Sequence, residues 1–234
     1  MTTTETRRVA TSAGDYFDAH VALPESRKGP GILLFHEALG STDYLRSVAE
    51  RLAGLGYVVV APDVFWRIER NVELAHDEAG MMRAGELLGS FDPEGTTLDM
   101  SGALRFLRDQ PEVSGSVGIV GHCFGGLMTY LVACAADPDC AVSYYGVGID
   151  QGLDRAPQLA CPTLFHFGTD DAFVPLDTVT KLRDALGAKP NVEFETYDGA
   201  GHAFDNPHAP WHDPDAAGRA WDRTTSFLAE HLQG

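Results

Sequence analysis

Apolar residues fall in this chain as short unbroken runs alternating with longer stretches of helical period. Gly31-Ile32-Leu33-Leu34-Phe35, Tyr57-Val58-Val59-Val60-Ala61 and Val117-Gly118-Ile119-Val120 are continuous apolar segments of the length of strands buried on both faces. Ala141 to Gly146 and Thr163 to Phe167 repeat the pattern, and Val192 to Tyr197 alternates as an outer strand does. Between the first two runs, Tyr44, Leu45, Val48, Leu52 and Leu55 share one helical face, with Ser41 or Thr42 as cap and Gly56 as stop. A second helix spans Glu94 to Gln110, with Met100, Ala103, Leu104 and Leu107 inward and Pro111 beyond its end. A third runs from Leu127 to Ala136. A closing helix starts at Asp213-Pro214 and carries Ala217, Trp221, Leu228 and Leu232 on one side.

Strand, helix and parallel strand in succession make a βαβ unit, so the pattern predicts an α/β fold with a mostly parallel central sheet and helices on both faces. Two runs between Arg7 and Leu23 flank Ser12-Ala13-Gly14-Asp15 and read as an antiparallel hairpin at the start of the sheet. The stretch Asp63 to Pro93 lacks a clear period and is expected to be irregular chain with short helices overhanging the strand ends. A single domain over residues 1–234 accommodates all of these elements.

Charge and composition narrow the partners. Seventeen Lys and Arg against 34 Asp and Glu give a net charge of −17 with no block of like sign, which argues against nucleic acid and anionic membranes. The N-terminus lacks the apolar core of a secretory signal, and no segment is long and apolar enough to span a bilayer, so a cytoplasmic protein is expected. Cys123, Cys134, Cys140 and Cys161 form no C-x-x-C pair, so neither zinc nor dithiol redox chemistry is implied, and no cofactor is expected.

Candidate chemistry lies at the strand ends. Gly121-His122-Cys123-Phe124-Gly125-Gly126 follows one buried run and precedes a helix, the strand-turn-helix arrangement of a nucleophile elbow with sulfur at its apex. Asp171 follows the run ending at Phe167, and His202 follows the outer strand. Nucleophile, acid and histidine therefore occur in the order that the α/β-hydrolase fold imposes. A thiol needs an imidazole to take its proton, and a carboxylate to orient and favour the imidazolium. Asp170 is the alternative acid, with a turn or cap role for whichever of the two is not used. The amide of Phe124, helped by that of Ala38, can stabilise an oxyanion. Glu37 ends the first buried run, where open α/β sheets place ligands; its alternative is a structural pair with an arginine. His202, Asp205, His208, His212 and Asp213 crowd one region but lack zinc-ligand spacing. Tyr144, Phe124, Trp66 and Phe204 are aromatic residues of the kind that more often belong to a core, with Phe124 and Tyr144 the pocket walls to test.

These motifs together, with His36-Glu37-Ala38-Leu39-Gly40, Tyr144-Tyr145-Gly146-Val147-Gly148, Asp171-Ala172-Phe173-Val174-Pro175 and Gly201-His202-Ala203-Phe204, resemble the dienelactone hydrolase (carboxymethylenebutenolidase-like) family over roughly residues 5–232. The resemblance implies that Cys123, Asp171 and His202 form a catalytic triad and that Glu37 helps to deprotonate the thiol when substrate arrives. It implies a small ester or lactone as substrate, cleaved through a thioester. Family members that hydrolyse dienelactone hold its carboxylate with two arginines; Asn206 stands at one matching position and Arg83 is the match for the other. Arg83, Tyr144, Phe204 and Asn206 are thus the candidate substrate contacts. A monomer is expected, with a homodimer as the alternative. The competing functions are a general small-ester carboxylesterase of the same fold and a non-catalytic thiol sensor or ligand-binding protein.

Overall fold

A computed structural model describes residues 1–233. Eight strands form one sheet: β1 (Thr3–Ala10), β2 (Tyr16–Leu23), β3 (Gly29–Phe35), β4 (Val58–Pro62), β5 (Val113–His122), β6 (Cys140–Tyr144), β7 (Thr163–Gly168) and β8 (Val192–Tyr197). Their order is β1-β2-β4-β3-β5-β6-β7-β8. β1 and β2 are the expected antiparallel hairpin, β2 also pairs antiparallel with β4, and every later neighbour is parallel.

Helices α1 (Asp43–Gly54), α2 (Glu78–Gly89), α3 (Pro93–Arg108), α4 (Phe124–Ala135), α5 (Leu176–Leu186) and α6 (Pro214–Leu232) cover both faces. The alternation along β3 explains why. Leu33 and Phe35 belong to one core with Leu104 and Leu107 of α3, Met128 of α4 and Leu182 of α5. Ile32 and Leu34 point the other way, into a core shared with Val48 and Leu52 of α1 and with Phe227 and Leu228 of α6. A strand buried on both sides must be apolar at every position, which is the pattern of its sequence.

Several local expectations change. Asp63 to Pro93 contains a regular twelve-residue helix, α2, whose N-terminus is capped by Asp77 accepting from the amide of Gly80 at 2.8 Å. Its glycines and alanines blur the apolar stripe, while the cap supplies the start signal. α5, not marked by the apolar pattern, follows Pro175, and a 3-10 segment fills Ile149–Gln158. Thr42 occupies the N-cap of α1, but no side chain caps the helix there. The inward stripe of α6 runs through Ala216, Ala220, Thr224, Phe227, Leu228 and Leu232, leaving Ala217 and Trp221 half-buried. Thr224 can lie inside because its hydroxyl meets Tyr144 Oη at 2.6 Å and His166 Nε2 at 2.9 Å. Trp221 is covered from outside by the guanidinium of Arg51, 3.7 Å from its ring centre.

Candidate active site

Cys123 stands between the end of β5 and the first residue of α4, with φ 56° and ψ −116°, a conformation that L residues rarely adopt. The surroundings hold it there. Its amide donates to the carbonyl of Tyr144 at 3.0 Å, and its carbonyl accepts from the amides of Gly126 and Leu127 at 2.9 and 3.3 Å. The flanking glycines make this possible by close approach rather than by unusual torsions. A Cβ on Gly121 would lie 2.1 Å from the carbonyl oxygen of Gly125, and one on Gly125 would lie 2.4 Å from that of Phe35. Strand, elbow and helix therefore pack backbone to backbone, and the thiol is left half-buried at the apex.

His202 and Asp171 come to the same strand ends from the loops after β8 and β7. His202 Nδ1 donates to Asp171 Oδ2 at 2.8 Å, and the other carboxylate oxygen accepts from the amides of Phe173 and Val174 at 2.7 and 3.0 Å. Asp170 makes none of these contacts; its amide joins the turn to Ala200. Burial disfavours the imidazolium of His202, but the bond to Asp171 and the neighbouring Cys123 outweigh it and raise the pKa to about 10. Although the thiol is close enough to exert that effect, Nε2 has no hydrogen-bond partner among the described residues. The amides of Ala38 and Phe124 likewise donate to no acceptor among the described residues, and both residues line the cavity that contains Cys123.

Glu37, at the end of β3, is buried, and its Oε2 accepts from Asn206 Nδ2 at 2.8 Å. The same Nδ2 lies 3.1 Å from His76 Nε2, while Asn206 Oδ1 accepts from the amide of His208 at 2.9 Å. Glu37 thus pairs with an amide and not with an arginine. Beside it, Tyr145 donates to Asp205, which also accepts from Tyr44 Oη at 2.6 Å and lies 3.5 Å from His122 Nε2. Burial works against the charge of Asp205, but His122 and the two tyrosine hydroxyls prevail and hold its pKa below the ordinary aspartate value. His212 and Asp213 are likewise committed to structure: His212 Nδ1 to the carbonyl of Phe204 at 3.0 Å, and Asp213 to the N-terminus of α6. Of the histidines and aspartates that crowd residues 202–213, His202, Asp205, His212 and Asp213 are therefore each tied to different hydrogen-bonding partners.

Three candidate substrate contacts lie elsewhere. Tyr144 points away from the cavity; its hydroxyl donates to the carbonyl of Ala220 at 3.1 Å and meets Thr224 behind the sheet. Phe204 is fully buried among Tyr144, Tyr145 and Tyr197. Arg83 sits on the outer side of α2, bound to Glu69 and to Glu86, because its position on the helix turns it to solvent while Ala84 and Leu87 turn inward. Asn206 alone of the four lines the cavity. The sequence concealed His76, a lone histidine in aperiodic chain, and Tyr145, whose aromatic neighbour Tyr144 is equally apolar in pattern. Strand alternation does not separate the two tyrosines, because β6 ends at Tyr144 and Tyr145 follows it in a bend with φ 37°.

The cavity occupies about 970 Å³ and runs from Cys123, Glu37 and His202 outward past α2 and the 3-10 segment. Phe91 and Phe124 form part of its wall, their rings edge to face at 4.9 Å. Its chemistry combines an apolar chamber, a thiol on a rigid elbow, a charged imidazole and two unoccupied amide donors, which is the equipment for attack on an acyl carbon.

Residues 17–232 match the model of the dienelactone hydrolase family. Among curated relatives, a carboxymethylenebutenolidase of Pseudomonas putida is 35% identical over 92% of each chain. A second, from Pseudomonas sp. strain P51, is 32% identical over 96% of this chain and 94% of the relative. Among solved structures, a dienelactone hydrolase-like promiscuous phosphotriesterase from metagenomic libraries superposes with a TM-score of 0.81 at 25% identity, covering 98% of this chain and 99% of that one. With a family model spanning nearly the whole fold and relatives of this identity over nine-tenths of their length, the chain belongs to the dienelactone hydrolase family, as a hydrolase of ester or lactone bonds.

Proposed function

We propose that the protein hydrolyses enol lactones or small activated esters through a Cys123-His202-Asp171 triad and a thioester intermediate. The observation that supports this reading is the bond from His202 to the carboxylate of Asp171, at 2.8 Å, in the cavity that His202 and the elbow thiol line together. In the first step the sulfur of Cys123 attacks the acyl carbon. The carbonyl π electrons move to oxygen, where the amides of Phe124 and Ala38 receive the charge. Collapse breaks the acyl–oxygen bond, and an enolate or activated phenolate leaves with little need of acid help, taking up the proton of the His202 imidazolium as it departs and leaving the imidazole neutral. Glu37, held by Asn206, is the second carboxylate of the site and the acceptor for the thiol proton when substrate enters.

The electrostatics suit a histidine that changes roles. While the thiol is free, Cys123 contributes to the high proton affinity of His202. Acylation removes that contribution, so the imidazole becomes easier to deprotonate when a base is needed to activate water. Water then attacks the thioester, its proton passes to the neutral imidazole of His202, and the C–S bond breaks to release the acid and a thiolate, which takes back the proton held by Glu37.

The decisive measurement is turnover of p-nitrophenyl acetate, with intact-protein mass spectrometry for acylated Cys123. Cys123→Ala should lower kcat/KM by about a thousandfold or more with the fold retained. Full activity in that variant, or acylation at another residue, would refute the assignment. His202→Ala should accumulate acyl-enzyme if sulfur still reacts, because its deacylation base is gone.

A further inference from the structure

The charges and apolar surfaces around the cavity bear on which esters can enter it. Among the described residues, Arg155 is the one guanidinium in its lining, and it is bound to Glu94. Glu37, Asp77, Glu78 and Asp154 add four more carboxylates to the same lining. All but Glu37 of these five acidic residues are exposed, so they ring the mouth. An anion approaching Cys123 therefore passes an acidic rim and meets no free arginine. At the inner end, position 206 offers nothing either. Both donors of the Asn206 amide are engaged, by Glu37 and His76, and its oxygen is taken by His208. A substrate carboxylate would have to break the bond to Glu37 and then face that carboxylate.

The apolar surface points the same way. Met81, Leu88, Phe173 and Trp211 are 46%, 39%, 48% and 48% exposed, and all four line this cavity. Phe173 and Trp211 lie 6.0 Å apart, ring centre to ring centre, with Phe173 also against His202 at 4.8 Å. Large apolar side chains left in water at the entrance of a chamber that leads to the nucleophile are surface that a ligand covers. A chamber of about 970 Å³ also exceeds what a single small lactone ring fills.

We infer, resting on the hydrolase reading above, that the substrate is an uncharged ester or lactone with an extended apolar substituent, and that free carboxylates are selected against. The substituent lies along Phe91, Leu88 and Met81 toward Trp211, with the reacting carbonyl at Cys123. Asn206 serves as a positioning residue for Glu37 rather than as a substrate clamp.

One enol lactone tested as its free carboxylate and as its methyl ester separates the charge effect from everything else. The methyl ester should have the higher kcat/KM by about tenfold or more at low ionic strength, and added salt should narrow the gap. Glu78→Lys combined with Asp154→Lys should raise kcat/KM for the carboxylate selectively. A p-nitrophenyl series from acetate to octanoate reads the apolar term: kcat/KM should climb with chain length, approaching about fourfold per methylene where the chain is fully buried. A carboxylate turned over as fast as its ester, or a flat chain-length series, overturns the inference while leaving Cys123-dependent hydrolysis of p-nitrophenyl acetate intact. Loss of all hydrolysis, including that of p-nitrophenyl acetate, overturns both readings.

Discussion

Asn206 spends every polar group of its amide inside the protein, and it is fully buried. Replacing it by leucine, of similar size, removes the donor to Glu37 and leaves a buried carboxylate without it. Asn206→Leu is expected to lower stability by about 1–3 kcal/mol, measured from the urea midpoint. Asp171 differs in kind, because its second oxygen binds backbone amides while the first holds His202. Asp171→Asn can keep the backbone bonds and the fold, yet it loses the charge that favours the imidazolium. Its kcat should fall by about 10²–10⁴, and the titration of His202, followed by imidazole NMR, should move down from about 10. An unchanged His202 titration would show that Asp171 is not its electrostatic partner.

At the scale of elements, the glycines of β5 and α4 show how close packing builds the elbow. Gly121→Ala would put a methyl 2.1 Å from the Gly125 carbonyl oxygen and 2.5 Å from Thr129 Oγ1, so β5 and α4 must separate. We expect destabilisation of about 3 kcal/mol or more, with loss of esterase activity, readable by thermal melting and turnover. Gly218 in α6 provides the contrast, since a Cβ there meets nothing within 4 Å. Gly218→Ala should stabilise the protein by about 0.5–1 kcal/mol, seen as a higher melting temperature. The two glycines are alike in composition, and only the neighbouring chain separates their outcomes. Much the same holds for α2: a sequence with little apolar period becomes a regular helix because Asp77 caps it and the core receives Ala84 and Leu87.

For the whole molecule, buried neutral histidines set a pH dependence. His36 Nε2 accepts from the amide of Val64 at 3.1 Å, and Nδ1 meets the carbonyl of Glu37 at 2.7 Å, so its native form is neutral. His166 is closed in by Tyr197 and Thr224 at 2.8 and 2.9 Å. Burial pushes their pKa values down to about 4 and about 3, from an ordinary 6.5. Below pH 6.5 the unfolded chain therefore binds protons that the native state refuses, and stability falls as pH falls. The loss reaches on the order of 3 kcal/mol for His36 alone by pH 4. Urea midpoints should drop between pH 7 and pH 4.5, with net proton uptake on unfolding; a flat profile would show that these histidines protonate in place.

Local pattern determined the strands, their parallel sense, the hairpin and the loops that carry Cys123, Asp171 and His202, because each depends on residues within a few positions of one another. Glycine spacing marked the elbow, and continuous apolar runs marked strands whose ends face one cavity. Facing relations across the chain were decided only by the tertiary structure. Tyr144 turns behind the sheet toward α6 while Tyr145 turns toward Asp205; Arg83, on the outer side of α2, binds Glu69 from the preceding segment; His76 reaches Asn206 from 130 residues away. The acidic rim and the apolar entrance likewise assemble from segments far apart in sequence. A side chain's partners follow from the packing of whole elements, and no short window of sequence contains them.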